Sequence, residues 1–133
     1  MTKSNEEKLR RFERKILRKV FGLHHDINTN QYRIRTNIEL KALYNDADIV
    51  QEIKSQRLRW AGHVHRLHNE RLVKLVWEEI PTGKRPLGRP RMQSRDNIQS
   101  DLRKMNIPFD PRLMENRTNW KKVVQSARTH PGL

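Results

Sequence analysis

Between Pro81 and Met92 the run PTGKRPLGRPRM sets four cationic side chains, Lys84, Arg85, Arg89 and Arg91, among three prolines and two glycines, without one acid. Proline holds such a chain extended and forbids a regular helix or central strand. Glycine permits close approach to a surface, and arginine supplies a planar fork of charged donors. The chemistry this suits is contact with an anionic polymer. A second cationic set is spaced for a helix. Arg59, His63 and Arg66 stand at i, i+4 and i+7, with Arg57 nearby, so the spacing predicts a ridge along one helical face. These eight residues are the candidate nucleic-acid contacts.

Within the arm, Gly88-Arg89-Pro90 and its basic neighbours resemble the AT-hook, an extended peptide that lies in the minor groove of A·T-rich DNA. There a narrow groove concentrates negative potential on an inserted arginine. Leu87 stands where the usual hook has a basic residue. Minor-groove reading, non-specific phosphate contact and a purely structural Pro-rich arm are all open to this segment.

The inventory for bond-making chemistry is thin. The chain has no glycine-rich phosphate loop with its lysine, no strand ending in a strained serine and no HExxH pair. Glu78 and Glu79 are neighbours at a predicted helix end, a solvated position rather than a two-metal site. His65 and His68 share a helical spacing but point away from the His63 ridge, and there is no cysteine to complete a zinc set. His24 and His25 read as loop residues. No catalytic residue, metal or cofactor is expected, and the reading is that the chain is not itself an enzyme.

The charge balance gives these contacts their context. The 133 residues carry 29 Lys plus Arg against 15 Asp plus Glu, a formal net charge of +14 and a pI of about 10.9. So large an excess repels itself in a compact chain, and a polyanion relieves the repulsion while releasing its condensed counterions. Nucleic acid, DNA or RNA, is the expected partner. No apolar run approaches the roughly 20 residues needed to span a bilayer, and the N-terminus lacks a signal-peptide stretch, so no membrane partner is expected. An intracellular, nuclear location follows from that reading. Only 34% of residues are apolar and the mean hydropathy is −1.01, which predicts a thin core.

The elements that must hold the two cationic sets are helical. Ser4 and Glu7 have capping-box spacing, and Leu9, Phe12, Ile16 and Val20, widened by Leu17 and Phe21, predict a helix over 4–21 ended by Gly22. Lys8, Arg10, Arg11, Arg14, Lys15, Arg18 and Lys19 form its outer face. Residues 22–36 predict an irregular connection with a short extended piece at Tyr32 to Ile34, and Thr36 with Glu39 caps a short helix through Leu40 and Tyr44. A longer helix from Asp46 or Asp48 to Leu67 is predicted by the seam Ile49, Ile53, Trp60, Val64 and Leu67, with Gly62 marking a close approach or a bend. Asn69 is placed to cap a helix bearing Leu72, Val73, Val76, Trp77 and Ile80, which Pro81 ends. Helices follow over 93–105 and around Trp120 to Ala127, with breaks at Pro108 and Pro111. Trp60, Trp77 and Trp120 all fall on apolar stripes and are expected in the core.

The order and spacing of several motifs carry a family resemblance. The run Gln56-Arg57-Leu58-Arg59-Trp60-Ala61-Gly62-His63-Val64, then Arg71-Leu72, Gly83 to Arg91, Asp96-Asn97-Ile98 and Asp101-Leu102, resembles the C-terminal region of non-LTR (LINE-like) retrotransposon polyproteins of animals. Arg11 to Leu17 and Trp120 to Val124 extend the likeness over nearly the whole chain. The resemblance implies the tail that follows the family's endonuclease and reverse transcriptase, a part that holds template or target nucleic acid. The parent catalytic carboxylates have no counterparts here. Ser94 stands where such sequences usually have Trp.

Together these readings predict an all-α fold of five to six short-to-medium helices with an irregular Pro/Gly/Arg-rich arm. The expected organisation is an N-terminal helical subunit over 1–80, the arm over 81–92 and a helical segment over 93–133. The expected function is that of a non-catalytic nucleic-acid-binding tail, fragment or remnant. Two alternatives stand beside it: an orphaned helical fragment that binds a helical protein partner or itself, and a host-adopted DNA-binding protein using the arm as a hook.

Overall fold

A computed structural model describes residues 1–79, 88 and 94–133. Among them are seven helices and one two-stranded hairpin, an all-α architecture in two compact units, Met1–Val50 and Gln51–Leu133. The arm expected at 81–92, with Lys84, Arg85, Arg89 and Arg91, lies outside the described residues apart from Gly88.

The first unit begins with α1 (Lys3–Phe21). Its cap is Thr2 rather than Ser4: Thr2 has extended dihedrals, and its side chain accepts from the Asn5 amide at 3.4 Å. Gly22, at φ 65°, closes the helix in a conformation that costs a Cβ-bearing residue more. The connection then folds into a hairpin, β1 (His24–Asp26) against β2 (Gln31–Arg33), in which His25 pairs with Tyr32. Helix α2 (Asn37–Tyr44) carries the expected capping box, Thr36 N donating to Glu39 Oε2 at 2.7 Å and Glu39 N to Thr36 Oγ1 at 3.3 Å.

Helix α1 forms as expected, but its stripe is not buried. Phe12 is 58% and Val20 70% exposed, and no α1 residue is fully buried. Length explains part of this, since eight residues of α2 span about 12 Å against about 28 Å of α1. Polar ties hold this unit together instead. Arg18 Nη2 donates to Asn37 Oδ1 at 2.6 Å, Arg10 pairs with Asp48 at 2.8 Å, and Ile49 N donates to Glu13 Oε1 at 2.9 Å. Two of the seven cations expected on the outer face are therefore engaged within the unit.

The second unit contains most of α3 (Ile49–His65), then α4 (Leu72–Glu78), α5 (Ser94–Lys104), α6 (Pro111–Glu115) and α7 (Arg117–Thr129). Leu58 and Ala61 of α3, Ile98 and Leu102 of α5, Met114 of α6, and Trp120, Val123, Val124 and Ala127 of α7 form its core. Residues on both sides of the 81–92 segment thus share one apolar cluster. Pro111 starts α6 instead of only breaking the chain. It sits in the first turn, where a missing amide costs nothing, behind Asp110, whose side chain accepts from the Arg112 amide at 2.9 Å. Asn116 caps α7 by accepting from the Thr118 and Asn119 amides, both at 3.0 Å.

Two packing faces differ from the expected ones. On α3 the buried residues of this unit are Lys54, Ser55, Leu58, Ala61, Gly62 and Val64; Val64 of the expected seam is thus buried, whereas Ile53 and Trp60 are exposed. The buried face is centred near Leu58, rotated around the helix from the arc of largest apolar side chains, with Val64 at the edge the two share. Small residues, Ser55, Ala61 and Gly62, let neighbours approach the backbone there. On α4 the cap is Arg71, without a side-chain bond, not Asn69, and Leu72 and Val76 are 78% and 79% exposed. The inward position belongs to Lys74, 6% exposed, whose Nζ donates to the His65 carbonyl and pairs with Glu78 at 3.1 Å. A cation there satisfies a free carbonyl at the end of α3 and complements its dipole.

Candidate nucleic-acid interface

Gly62 and Trp120 set the geometry of the candidate site. A Cβ at position 62 would fall inside the Trp120 indole, so only glycine admits the ring. The indole Nε1 donates to the Leu58 carbonyl at 2.9 Å, satisfying its one polar group inside the core. The close approach expected at Gly62 is therefore made by an aromatic side chain of α7.

With α7 held this way, a groove of 740 Å³ opens beside the two helices. From α3 it is lined by Gln56, Arg59, Trp60 and His63, from the turn that follows α3 by Arg66, and from α7 by Arg117, Trp120, Lys121, Val124 and Gln125. Arg59, His63, Arg117 and Lys121 are exposed, and among the described residues no acidic one lines the groove. Arg66 Nη1 donates to the Met114 carbonyl at 2.5 Å. Burial, and then the neighbouring Arg117, lower the Arg66 pKa below the ordinary arginine value. The two guanidiniums repel one another, and an anion placed between them would relieve that repulsion.

Three of the four expected ridge residues, Arg59, His63 and Arg66, meet in this groove. Arg57 does not line it. The rotated seam turns Arg57 inward, where its Nη2 donates to Asp101 Oδ2 in a pair whose carboxylate side chain is only 5% exposed. Arg117 and Lys121 were not singled out from the sequence. Their i, i+4 spacing is visible in the sequence, but Arg117 precedes the predicted stretch from Trp120 to Ala127, and the place of both beside Arg59 depends on the Gly62–Trp120 approach. Trp60 also departs from its expected core position: it is 45% exposed at the groove, in an edge-to-face pair with Trp77 at 5.5 Å and 82°. Trp77 and Trp120 pack in or against the core.

His65 is half-buried, and burial, followed by the charge of Lys74, lowers its pKa below the ordinary 6.5. Among the described residues no three of His, Asp and Glu converge on a point suited to a metal ion, and no helix is long and apolar enough to cross a membrane. No protein-family profile, curated protein or solved structure matches this chain.

Proposed function

We propose that the chain is a non-catalytic nucleic-acid-binding segment that contacts sugar-phosphate backbone through the α3/α7 groove. The observation that carries this reading is the convergence of Arg59, His63, Arg66, Arg117 and Lys121, from α3, the turn after it and α7, on one groove with no acidic lining among the described residues. Such a surface attracts phosphate and gains from counterion release. The net charge of +14 supports the same partner. The sequence likeness to the C-terminal region of LINE-like retrotransposon polyproteins supports an origin as a tail that follows a polymerase. The arm residues Lys84, Arg85, Arg89 and Arg91 add further contacts in this reading.

The test is binding of a labelled oligonucleotide by fluorescence anisotropy, comparing two double variants of equal charge. Arg59→Ala with Lys121→Ala removes groove cations; Arg103→Ala with Lys122→Ala removes exposed cations outside the groove lining. The first pair is expected to weaken binding about tenfold or more at low salt, the second much less. Equal losses would overturn the groove reading.

A second reading, as a protein-interaction fragment, is favoured by the exposed apolar residues Phe12 and Val20 on α1 and Leu72 and Val76 on α4. Scattered apolar exposure is ordinary, but these sit in pairs on single helical faces. Sedimentation of the pure chain separates the readings. Concentration-dependent self-association supports the second, and a monomer that binds oligonucleotide supports the first.

A further inference from the structure

We infer that the groove takes single-stranded nucleic acid, with an unstacked base seated on the Trp60 indole while the strand's phosphates meet Arg59, Arg117 and Lys121. The inference rests on the proposed groove reading and names its substrate class. Trp60 carries it. A tryptophan left 45% exposed at the edge of a cationic groove keeps a large apolar surface in water. Trp77 contacts it edge to face at 5.5 Å, which limits the ring's freedom before any ligand arrives. An indole already held in place gives up little conformational entropy when a base stacks on it.

The neighbours on α3 fit the same ligand. Arg59 precedes Trp60 and His63 follows it by three residues, so a guanidinium, an imidazole and the indole occupy adjoining positions along one groove wall. A duplex presents phosphates and base edges but keeps its base faces stacked on one another. A single strand presents both phosphates and free base faces, and combined electrostatic and stacking contact is the usual means of holding it. The groove offers both kinds of contact, so a strand with free bases gains an interaction there that a duplex forgoes. Stacking engages any base, so little sequence preference is expected from Trp60 itself.

The discriminating probe is an abasic strand. An oligothymidine of about twelve nucleotides, within the usual span of a single-strand site, and an abasic backbone of equal length carry the same phosphates. The full chain is expected to bind oligothymidine about five- to a hundredfold more tightly, the worth of one stacked base. Trp60→Leu, which keeps apolar bulk against Trp77 without an aromatic face, is expected to bind the two probes alike, and Trp60→Phe to restore part of the preference. Circular dichroism checks that each variant is folded. Equal binding of the two probes by the unaltered chain, or an undiminished preference in folded Trp60→Leu, overturns the inference. The Arg59→Ala, Lys121→Ala double variant reads the groove separately, because it should weaken both probes. If it does so while the abasic strand binds as well as oligothymidine, the groove reading stands and the stacking inference falls.

Discussion

The Trp120 indole occupies the space where any other residue at position 62 would place its Cβ, and it is anchored there by its bond to the Leu58 carbonyl one turn earlier on α3. That relationship sets how closely α7 approaches α3, and so where Arg117 and Lys121 stand relative to Arg59 and Arg66. A glycine that weakens its own helix thus builds the groove.

Gly62→Ala is therefore expected to destabilise the second unit, although alanine favours the helix by about 1 kcal/mol. Overpacking against a core indole costs about 1–3 kcal/mol, and freeing its buried N–H costs a similar amount. A net loss of about 3 kcal/mol should appear in urea denaturation followed by tryptophan fluorescence. A stabilised variant would show that α7 shifts freely on α3.

Arg57 pairs with Asp101 and does not line the groove. Arg57→Met leaves the Asp101 carboxylate buried without its partner and should cost about 3–5 kcal/mol, which a thermal melt would reveal. Adding Asp101→Leu removes the stranded charge and should recover most of that loss. The recovered double variant should bind oligonucleotide as the unaltered chain does; a large loss of affinity would return Arg57 to the contact surface.

Much of this architecture could be read from the sequence, and what escaped has identifiable causes. The Thr36–Glu39 box and Gly22 after α1 are local signals, set by residues a few positions apart, and the structure contains them. The α3 seam escaped because side-chain size pointed to Ile53 and Trp60, while packing was decided by Ala61 and Gly62, whose contribution is the absence of bulk. The same rotation sets Arg57 against Asp101 and outside the groove lining. On α4 the apolar stripe Leu72, Val73 and Val76 outweighed Lys74 in the reading, but the free carbonyl of His65 made a cation the better inward residue. Arg117 and Lys121 joined the site only through a tertiary contact between positions 62 and 120, which spacing along one helix does not encode.

The hairpin and α2 should loosen in acid. The Arg33 guanidinium, and then the Thr36 backbone amide, hold the Glu39 carboxyl at about 2 instead of the ordinary 4.5. A carboxylate whose pKa is depressed on folding supports the fold above about pH 4.5, and that support fades as pH falls toward 2. Following the His25 and Tyr32 resonances by NMR should show the change across this window. Glu39→Gln should remove that part of the acid dependence, and an unaltered profile would count against the Arg33–Glu39 contact.

His65 should titrate below the ordinary histidine value, since burial and Lys74 both disfavour its charged form. A base depressed in the folded state contributes stability above about pH 6.5 that is lost as pH falls through the folded value. Its ring protons should show a midpoint under 6.5, with the melting temperature of the second unit declining over the same range. A midpoint at or above 6.5 contradicts the packing of α4 over the end of α3.

The most direct test of the central claim is the salt dependence of single-strand binding. Each neutralised phosphate adds about 0.7 to the slope of log affinity against log salt, so Arg59→Ala with Lys121→Ala should flatten the slope by about 1.4 relative to the unaltered chain. The Arg103→Ala, Lys122→Ala pair should leave the slope nearly unchanged. A slope that ignores the loss of Arg59 and Lys121 would mean that the groove does not hold the phosphates, and the account would be wrong.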